Sequence, residues 1–397
     1  LHDVNGFVID RIQTGGVSNL NIPQEKIYEL GNYQSVATLR DIPDLSFEVQ
    51  SFDPSTEMEA LLLQIDPTTT TAGQEFDLGT SIPIDVISPF KSALNAYDIV
   101  KGVSIPSLTL ESASYRFGVR QNSEQTFTLK GDSVYYIPGT PYAKTFDLVS
   151  TTNQTYAFGL TALPYVEQGN THYAVSACVS NPATNKYRRL FLPTDYTNTA
   201  TGITILANWF TEGYSKLKVT YGSTTAATYG TGVHQGTSVK PAAVRGKDVC
   251  VYISNGAATP TLTRWTGIQT VEVTRSVSLE ADEELCNAKY IGQDYDVPEV
   301  TGNLTLKPLD PDDLFDKIAQ VANVSSTSAI TGPFSSTPLA MEIRINDPDS
   351  GVTLKTLYIP DARFTIPAVN GQVQQKLTAT FNFDSDSGTL MVYKGLR

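Results

Sequence analysis

The chain reads as strands broken by turns, with two short exceptions. Leu45, Phe47 and Val49 alternate with Ser46, Glu48 and Gln50, and Leu377, Ala379, Phe381 and Phe383 alternate with Lys376, Thr378, Thr380 and Asn382. A period of two puts one set on a core face and the other toward water, which predicts half-buried strands. The exceptions have helical period: Met58, Leu61, Leu62 and Ile65 form one apolar stripe, and Leu314, Phe315, Ile318 and Val321 form another. Each stripe follows an Asp-Pro pair, Asp53-Pro54 and Asp310-Pro311. Asp suits an N-cap and Pro the first helical position, so two short amphipathic helices are predicted, both starting at the proline.

These exceptions belong to a larger recurrence. Glu29-Leu30-Gly31-Asn32 followed by Asp41-Ile42-Pro43-Asp44 reappears as Glu284-Leu285-Cys286-Asn287 followed by Asp296-Val297-Pro298-Glu299, at the same separation. Ile12-Gln13-Thr14 matches Ile268-Gln269-Thr270, Ser81-Ile82-Pro83 matches Ser336-Thr337-Pro338, and Ile105-Pro106 matches Ile359-Pro360. Phe127 matches Phe381, and Val134-Tyr135 is taken to match Val392-Tyr393. The order never changes and the separation drifts by only a few positions. The reading is therefore a tandem duplication: one β-sandwich-like domain with a flanking helix at 1–138, its copy at 246–397, and an inserted all-β module at 139–245, Ig-like in size. The loops at 66–80 and 322–335 are rich in small residues and are expected to order only when copies of the protein stack.

Composition sharpens this picture. With 397 residues, 40% of them apolar, several cores can be built, and the scarcity of charge (17%) beside abundant Thr, Ser, Gly and Tyr favours strands over helices. The net charge of −13 argues against attraction to nucleic acid or an anionic membrane. The acidity lies in the two repeats, because in the module Lys144, Lys186, Arg188, Arg189, Lys216, Lys218, Lys240 and Arg245 outnumber Asp147, Glu167, Asp195 and Glu212. The module is also rich in tyrosine (Tyr142, Tyr156, Tyr165, Tyr173, Tyr187, Tyr196, Tyr214, Tyr221 and Tyr229), read as amphipathic packing on strands rather than as a ligand surface. Cys178, Cys250 and Cys286 show no CxxC spacing and are read as small buried apolar residues of a chain made in a reducing cytoplasm. No secretory signal and no membrane-spanning run is expected.

Catalytic chemistry finds little to stand on. His2, His172 and His234 are the chain's histidines, and no GxSxG elbow accompanies them. The loop Gly230-Thr231-Gly232-Val233-His234 has the wrong spacing for a dinucleotide fingerprint. Asp384-Ser385-Asp386-Ser387-Gly388 and Asn346-Asp347-Pro348-Asp349-Ser350-Gly351 resemble the start of calcium loops but read better as turns, since Asp, Asn and Gly tolerate left-handed backbone. Asp310, Asp312 and Asp313 read as helix caps, and Arg188-Arg189 is too short to grip nucleic acid. The expectation is a non-enzyme with no cofactor, metal or catalytic residue.

The segment from Gly371 to Asp384, running Gly-Gln-Val-Gln-Gln-Lys-Leu-Thr-Ala-Thr-Phe-Asn-Phe-Asp and ending at Val392-Tyr393-Lys394-Gly395, resembles the final strands of bacteriophage tail tube (major tail) proteins. The Asp-apolar-Pro-acid entries at Asp41 and Asp296 fit the same family. That resemblance implies a virion protein made in the host cytoplasm, with a β-sandwich flanked by a helix. Family members form hexameric rings; those with two tube domains per chain form homotrimers with pseudo-sixfold symmetry. It further implies stacking of rings into a conduit for DNA ejection, contacts with tape measure, tail terminator and distal tail proteins, and passage of double-stranded DNA without specific binding. An acidic lumen would let DNA slide where a basic wall would hold it. Two other readings stay open: an adhesin or fibre-like β protein with a ligand pocket in the tyrosine-rich module, and a carbohydrate-active enzyme with two convergent acids.

Overall fold

A computed structural model of the chain describes residues 2–3, 12–21, 24–27, 37–40, 43–52, 55–65, 69–81, 83–91, 99–167, 170–184, 186–225, 244–254, 261–282, 292–307, 310–322, 337–365, 367 and 378–397. It is mostly β, built of antiparallel sheets with two α-helices among the described residues. No described helix is long and apolar enough to cross a membrane.

The first part contains β1 (His2–Asp3), β2 (Ile12–Asn21), β3 (Gln24–Ile27), β4 (Ala37–Arg40), β5 (Asp44–Ser51), α1 (Glu57–Leu62), β6 (Glu75–Asp77), β7 (Ile84–Lys91), β8 (Ile99–Gly118), β9 (Glu124–Gly131) and β10 (Tyr135–Pro138). The middle part contains β11 (Thr140–Asp147), β12 (Gln154–Ala157), β13 (Tyr165–Glu167), β14 (Asn170–His172), β15 (Ser176–Asn181), β16 (Lys186–Leu190), β17 (Tyr196–Thr199), β18 (Gly202–Ile205) and β19 (Lys216–Ser223). The last part contains β20 (Val249–Ser254), β21 (Leu262–Trp265), β22 (Ile268–Ser276), β23 (Leu279–Asp282), β24 (Gly292–Tyr295), β25 (Glu299–Leu306), α2 (Pro311–Ala322), β26 (Leu339–Asn346), β27 (Thr353–Phe364), β28 (Ala379–Ser385) and β29 (Met391–Lys394).

The first and last parts share not only strand order but pairing register. Val49 faces Phe127 across β5 and β9, as Leu304 faces Phe381 across β25 and β28. Leu110 faces Leu129 as Phe364 faces Phe383. The hairpin that opens with Gln24 opposite Arg40 corresponds to the one that opens with Leu279 opposite Tyr295. Even the irregularities repeat: a bulge lies between Ile12 and Thr14 and again between Ile268 and Thr270, and another between Ile84 and Val86 and again between Leu339 and Met341. A bulge re-aims every later side chain, so two shared bulges at matching places mark one architecture used twice.

One equivalence differs from the sequence reading. Tyr135 lies opposite Ser104 and Met391 opposite Tyr358, so Tyr135 corresponds to Met391 and the Val134-Tyr135 match to Val392-Tyr393 is two residues out of step. The turn before β29 is longer, and a two-residue slip keeps the same faces inward, which is why the apolar pattern concealed it.

The copies are not separate bodies. β8 pairs β22 from Gly118 opposite Thr270 to Ser112 opposite Ser276, so one sheet runs through both. A single apolar cluster likewise contains Leu45, Phe47 and Phe127 together with Leu304, Phe364 and Phe381. The middle part has its own cluster around Tyr156, Phe158, Trp209 and Tyr221, beneath the sheets β11-β19-β15-β16 and β12-β18-β17. Three of its described tyrosines, Tyr156, Tyr196 and Tyr221, are buried, and Tyr221 stacks on Phe158 at 4.5 Å and on Tyr142 at 5.9 Å.

The helices correct the sequence reading at three points. Asp53 and Pro54 lie outside the described residues, and α1 starts later, at Glu57, with Thr56 as its N-cap. Ile65 is past the helix end: Gln64 takes a φ of 54°, and Ile65 N–H bonds Ala60 O at 2.8 Å while Gln64 N–H bonds Leu61 O at 2.9 Å. This left-handed cap stops α1 after six residues and tucks Ile65 back against the core. In α2, Leu314, Ile318 and Val321 are buried as expected, but Phe315 is 53% exposed. The N-terminus of α2 follows expectation: Pro311 is its first residue, and Asp310 Oδ1 accepts from Asp312 N–H at 3.1 Å.

Candidate assembly surface

The chemistry of this protein is concentrated where its parts meet. At the junction of the two copies, Lys355 of β27 donates to Glu59 Oε1 of α1 and to Gln125 Oε1 of β9, both at 2.8 Å. Tyr115 of β8 donates to the same Glu59 oxygen at 2.8 Å, and the Lys355 ammonium lies 5.5 Å from the Tyr115 ring centre. Burial, then the Glu59 carboxylate, hold the Tyr115 phenol well above its ordinary pKa, so it remains a donor. Arg275 of β22 is buried beside the same seam.

A second strand contact closes the junction. β6, from the first copy, pairs β29 of the second, with Phe76 opposite Val392. Tyr393 donates to Glu75 Oε2 at 2.8 Å, and Lys394 Nζ donates to Thr70 O at 2.8 Å. The described part of the 66–80 loop is thus held within a single chain, which corrects the expectation that it orders only on stacking. The backbone groups of β29 would otherwise form an open edge, and β6 satisfies them. Most of the 322–335 loop lies outside the described residues.

A third junction fixes the middle part to the first. Arg189 Nη1 donates to both oxygens of Asp132, at 2.7 and 2.6 Å, and Arg189 Nε donates to Ser107 Oγ at 3.0 Å. Tyr187 and Ser107 share a hydroxyl hydrogen bond. Ser107 adopts a φ of 58°, held by its N–H bond to Asp85 Oδ1 at 2.7 Å. Burial raises the Asp85 carboxyl, against the Ser107 bond and the charges of Lys218 and Arg189. Burial also pushes the Cys178 thiol up, so this cysteine stays protonated. Arg188, by contrast, lies over the Trp209 ring at 5.0 Å. The Arg188-Arg189 pair therefore serves internal packing, and Asp132, Asp85, Glu59 and Lys355 carried no sequence signal beyond being charges within strand- or helix-like runs.

The repeat-defining positions divide in two. Phe127 and Phe381 are core residues at matching places: Phe127 packs edge-on against Tyr115 at 6.0 Å and Phe381 edge-on against Trp265 at 5.4 Å. Pro43 and Pro298 precede β5 and β25, and Asp296 Oδ1 accepts from Val297 N–H at 2.7 Å. Glu29, Leu30, Asn32, Asp41, Glu284, Leu285 and Asn287 lie outside the described residues.

The two turns that resemble calcium loops are committed elsewhere. Asp386 is held by Arg363, with Nε at 2.9 Å and Nη2 at 2.6 Å, while Asp347 caps its own turn through Ser350 Oγ at 2.7 Å. Among the described residues no group of His, Cys, Asp and Glu is arranged to hold a metal.

No family model matches the chain, and no curated protein matches it. Among solved structures, a chain of the anti-feeding prophage baseplate, determined by cryo-electron microscopy with sixfold symmetrisation, is similar to part of it. The alignment covers 39% of this chain and 97% of that one, at 16% identity and a TM-score of 0.23.

Proposed function

We propose that the chain is a phage structural protein, the subunit of a tail tube, in which three copies supply six equivalent wall segments to each ring and rings stack into a conduit. The observation that carries this reading is the duplication with shared register: Val49–Phe127 and Leu304–Phe381 occupy the same place in two copies joined edge to edge in one sheet. A protein that places two equivalent segments side by side, by strand pairing, has the repeating unit of a cyclic wall already within it. The acidic repeats suit a bore through which DNA phosphates pass without being held. Tape measure, terminator and distal tail proteins are the partners such a tube would meet at its ends. The inward packing of Tyr156, Tyr196 and Tyr221 leaves less of the module free for the ligand pocket an adhesin would need.

Negative-stain microscopy of the purified chain tests the proposal. Stacked threefold rings with a central hole are expected; a monodisperse monomer at high concentration would contradict it.

A further inference from the structure

The Glu59–Lys355 contact holds more than an ion pair. Lys355 Nζ donates at 2.8 Å to Glu59 Oε1 and at 2.8 Å to Gln125 Oε1, so one amine meets a carboxylate and a primary amide together. Lys355 and Glu59 are wholly buried, and Gln125 is 3% exposed. A carbonyl bond is about 1.2 Å long, so Gln125 Cδ lies within about 4 Å of Nζ, near the separation at which a positioned nucleophile reacts. Glu59 is itself held in place: Tyr115, the cross-strand partner of Gln125, donates to Oε1, while Oε2 is buried with no hydrogen-bond partner. The site therefore contains a nucleophile, a proton acceptor and an acyl group with a leaving amine, all shielded from water.

We propose that the chain cross-links itself here, forming an amide between Lys355 Nζ and Gln125 Cδ with release of ammonia. Glu59 takes a proton from the Lys355 ammonium along their hydrogen bond, which frees the lone pair of Nζ. Nζ attacks Cδ, and the carbonyl electron pair moves onto Oε1 as the new C–N bond forms. Glu59 hands its proton to Nε2 and accepts a second one from Nζ. The carbonyl then re-forms, the Cδ–Nε2 bond breaks and ammonia departs. The new amide keeps one hydrogen, ammonia carries off three and Glu59 keeps the last. Nothing is oxidised or reduced, and no co-reactant is consumed. Exclusion of water keeps hydrolysis from competing with the amine at Cδ.

The reaction happens once per chain and follows folding, because the three side chains come from α1, β9 and β27 and meet only in the assembled junction. The bond joins β9 of the first copy to β27 of the second, across 230 positions. A link closing so long a loop restricts the unfolded chain as a disulfide does, yet resists reduction. It stands whether or not the chain forms rings.

Intact mass spectrometry of the full, folded chain tests the proposal. The parent, fresh or after prolonged incubation, should weigh less than its sequence by one ammonia. A tryptic digest should contain a branched peptide joining Gln125 to Lys355, with no cleavage after Lys355. Lys355→Arg and Gln125→Met should restore the sequence mass. Glu59→Gln should slow linking at least about a hundred-fold, the scale of general acid–base catalysis, with circular dichroism confirming that each variant folds. The parent's own mass decides the matter even where a variant fails to fold. A parent that keeps its full sequence mass after incubation would overturn the proposal, as would an ammonia loss that persists in Lys355→Arg. Loss of water with the branch at Glu59 would overturn Gln125 as the acyl donor. A folded Glu59→Gln chain that links at the parental rate would remove Glu59 from the reaction.

Discussion

Lys355 and Glu59 lie 296 positions apart in the chain, yet their side chains meet at 2.8 Å with no exposure to solvent on either. Desolvating two charges is costly, and the cost is partly offset here by Gln125, which accepts from Lys355, and by Tyr115, which donates to the same Glu59 oxygen, while Glu59 Oε2 is left buried without a hydrogen-bond partner. Removing one partner strands the other. Lys355→Met and Glu59→Leu should each cost about 3–5 kcal/mol in urea unfolding, and the two together should cost less than either alone. Single variants within about 0.5 kcal/mol of the parent would show that the pair does not hold the copies together.

Phe127 and Phe381 occupy equivalent core positions, so truncating either to alanine should cost about 3–5 kcal/mol. Because one apolar cluster spans both copies, each variant should shift the same cooperative transition. Two separated transitions in calorimetry, each moved by only one variant, would mean the copies unfold independently.

The middle part should be releasable without unfolding it. Arg189 is its buried tie to Asp132, and its own core contains neither residue. Arg189→Met should speed hydrogen exchange at β16 and around Ser107 while leaving Tyr156, Ile203 and Val219 protected. Unchanged exchange at Ser107 would refute this.

Asp85 gives the same junction a pH dependence. Burial holds its carboxyl above the ordinary value in the folded chain. The folded state therefore binds the proton more tightly than the unfolded one, and the associated stability is full below the unfolded carboxylate pKa and declines as pH rises through the folded one. Asp85→Asn should flatten the melting-temperature profile between acid and neutral pH. A variant profile parallel to the parent's would remove Asp85 as the cause.

Gly388 sits in the turn before β29 with a φ of 64°, and a Cβ there would come within 1.9 Å of Pro298 O. Gly388→Ala should destabilise the chain by about 1–3 kcal/mol from backbone strain, with a further cost from the clash. A melting temperature equal to the parent's would show that the turn rearranges freely.

The alternation of Leu45, Phe47 and Val49 and of Ala379, Phe381 and Phe383 was enough to place strands and their inward faces, because a period of two leaves no freedom once one face is buried. The Asp310-Pro311 start of α2 was legible for the same local reason, cap chemistry acting within a few residues. The left-handed stop at Gln64 was not, since glutamine carries no sequence signal for positive φ.

The sequence by itself determined a mostly β chain with a duplicated pattern, for these are matters of period, spacing and turn chemistry along the chain. Only the tertiary structure decided that the copies share a core, that β6 crosses to pair β29, and that Glu59 finds Lys355 while Phe315 stays exposed. Such contacts join segments hundreds of residues apart, and the partner of a buried charge is set by which elements pack together, a choice no local pattern encodes.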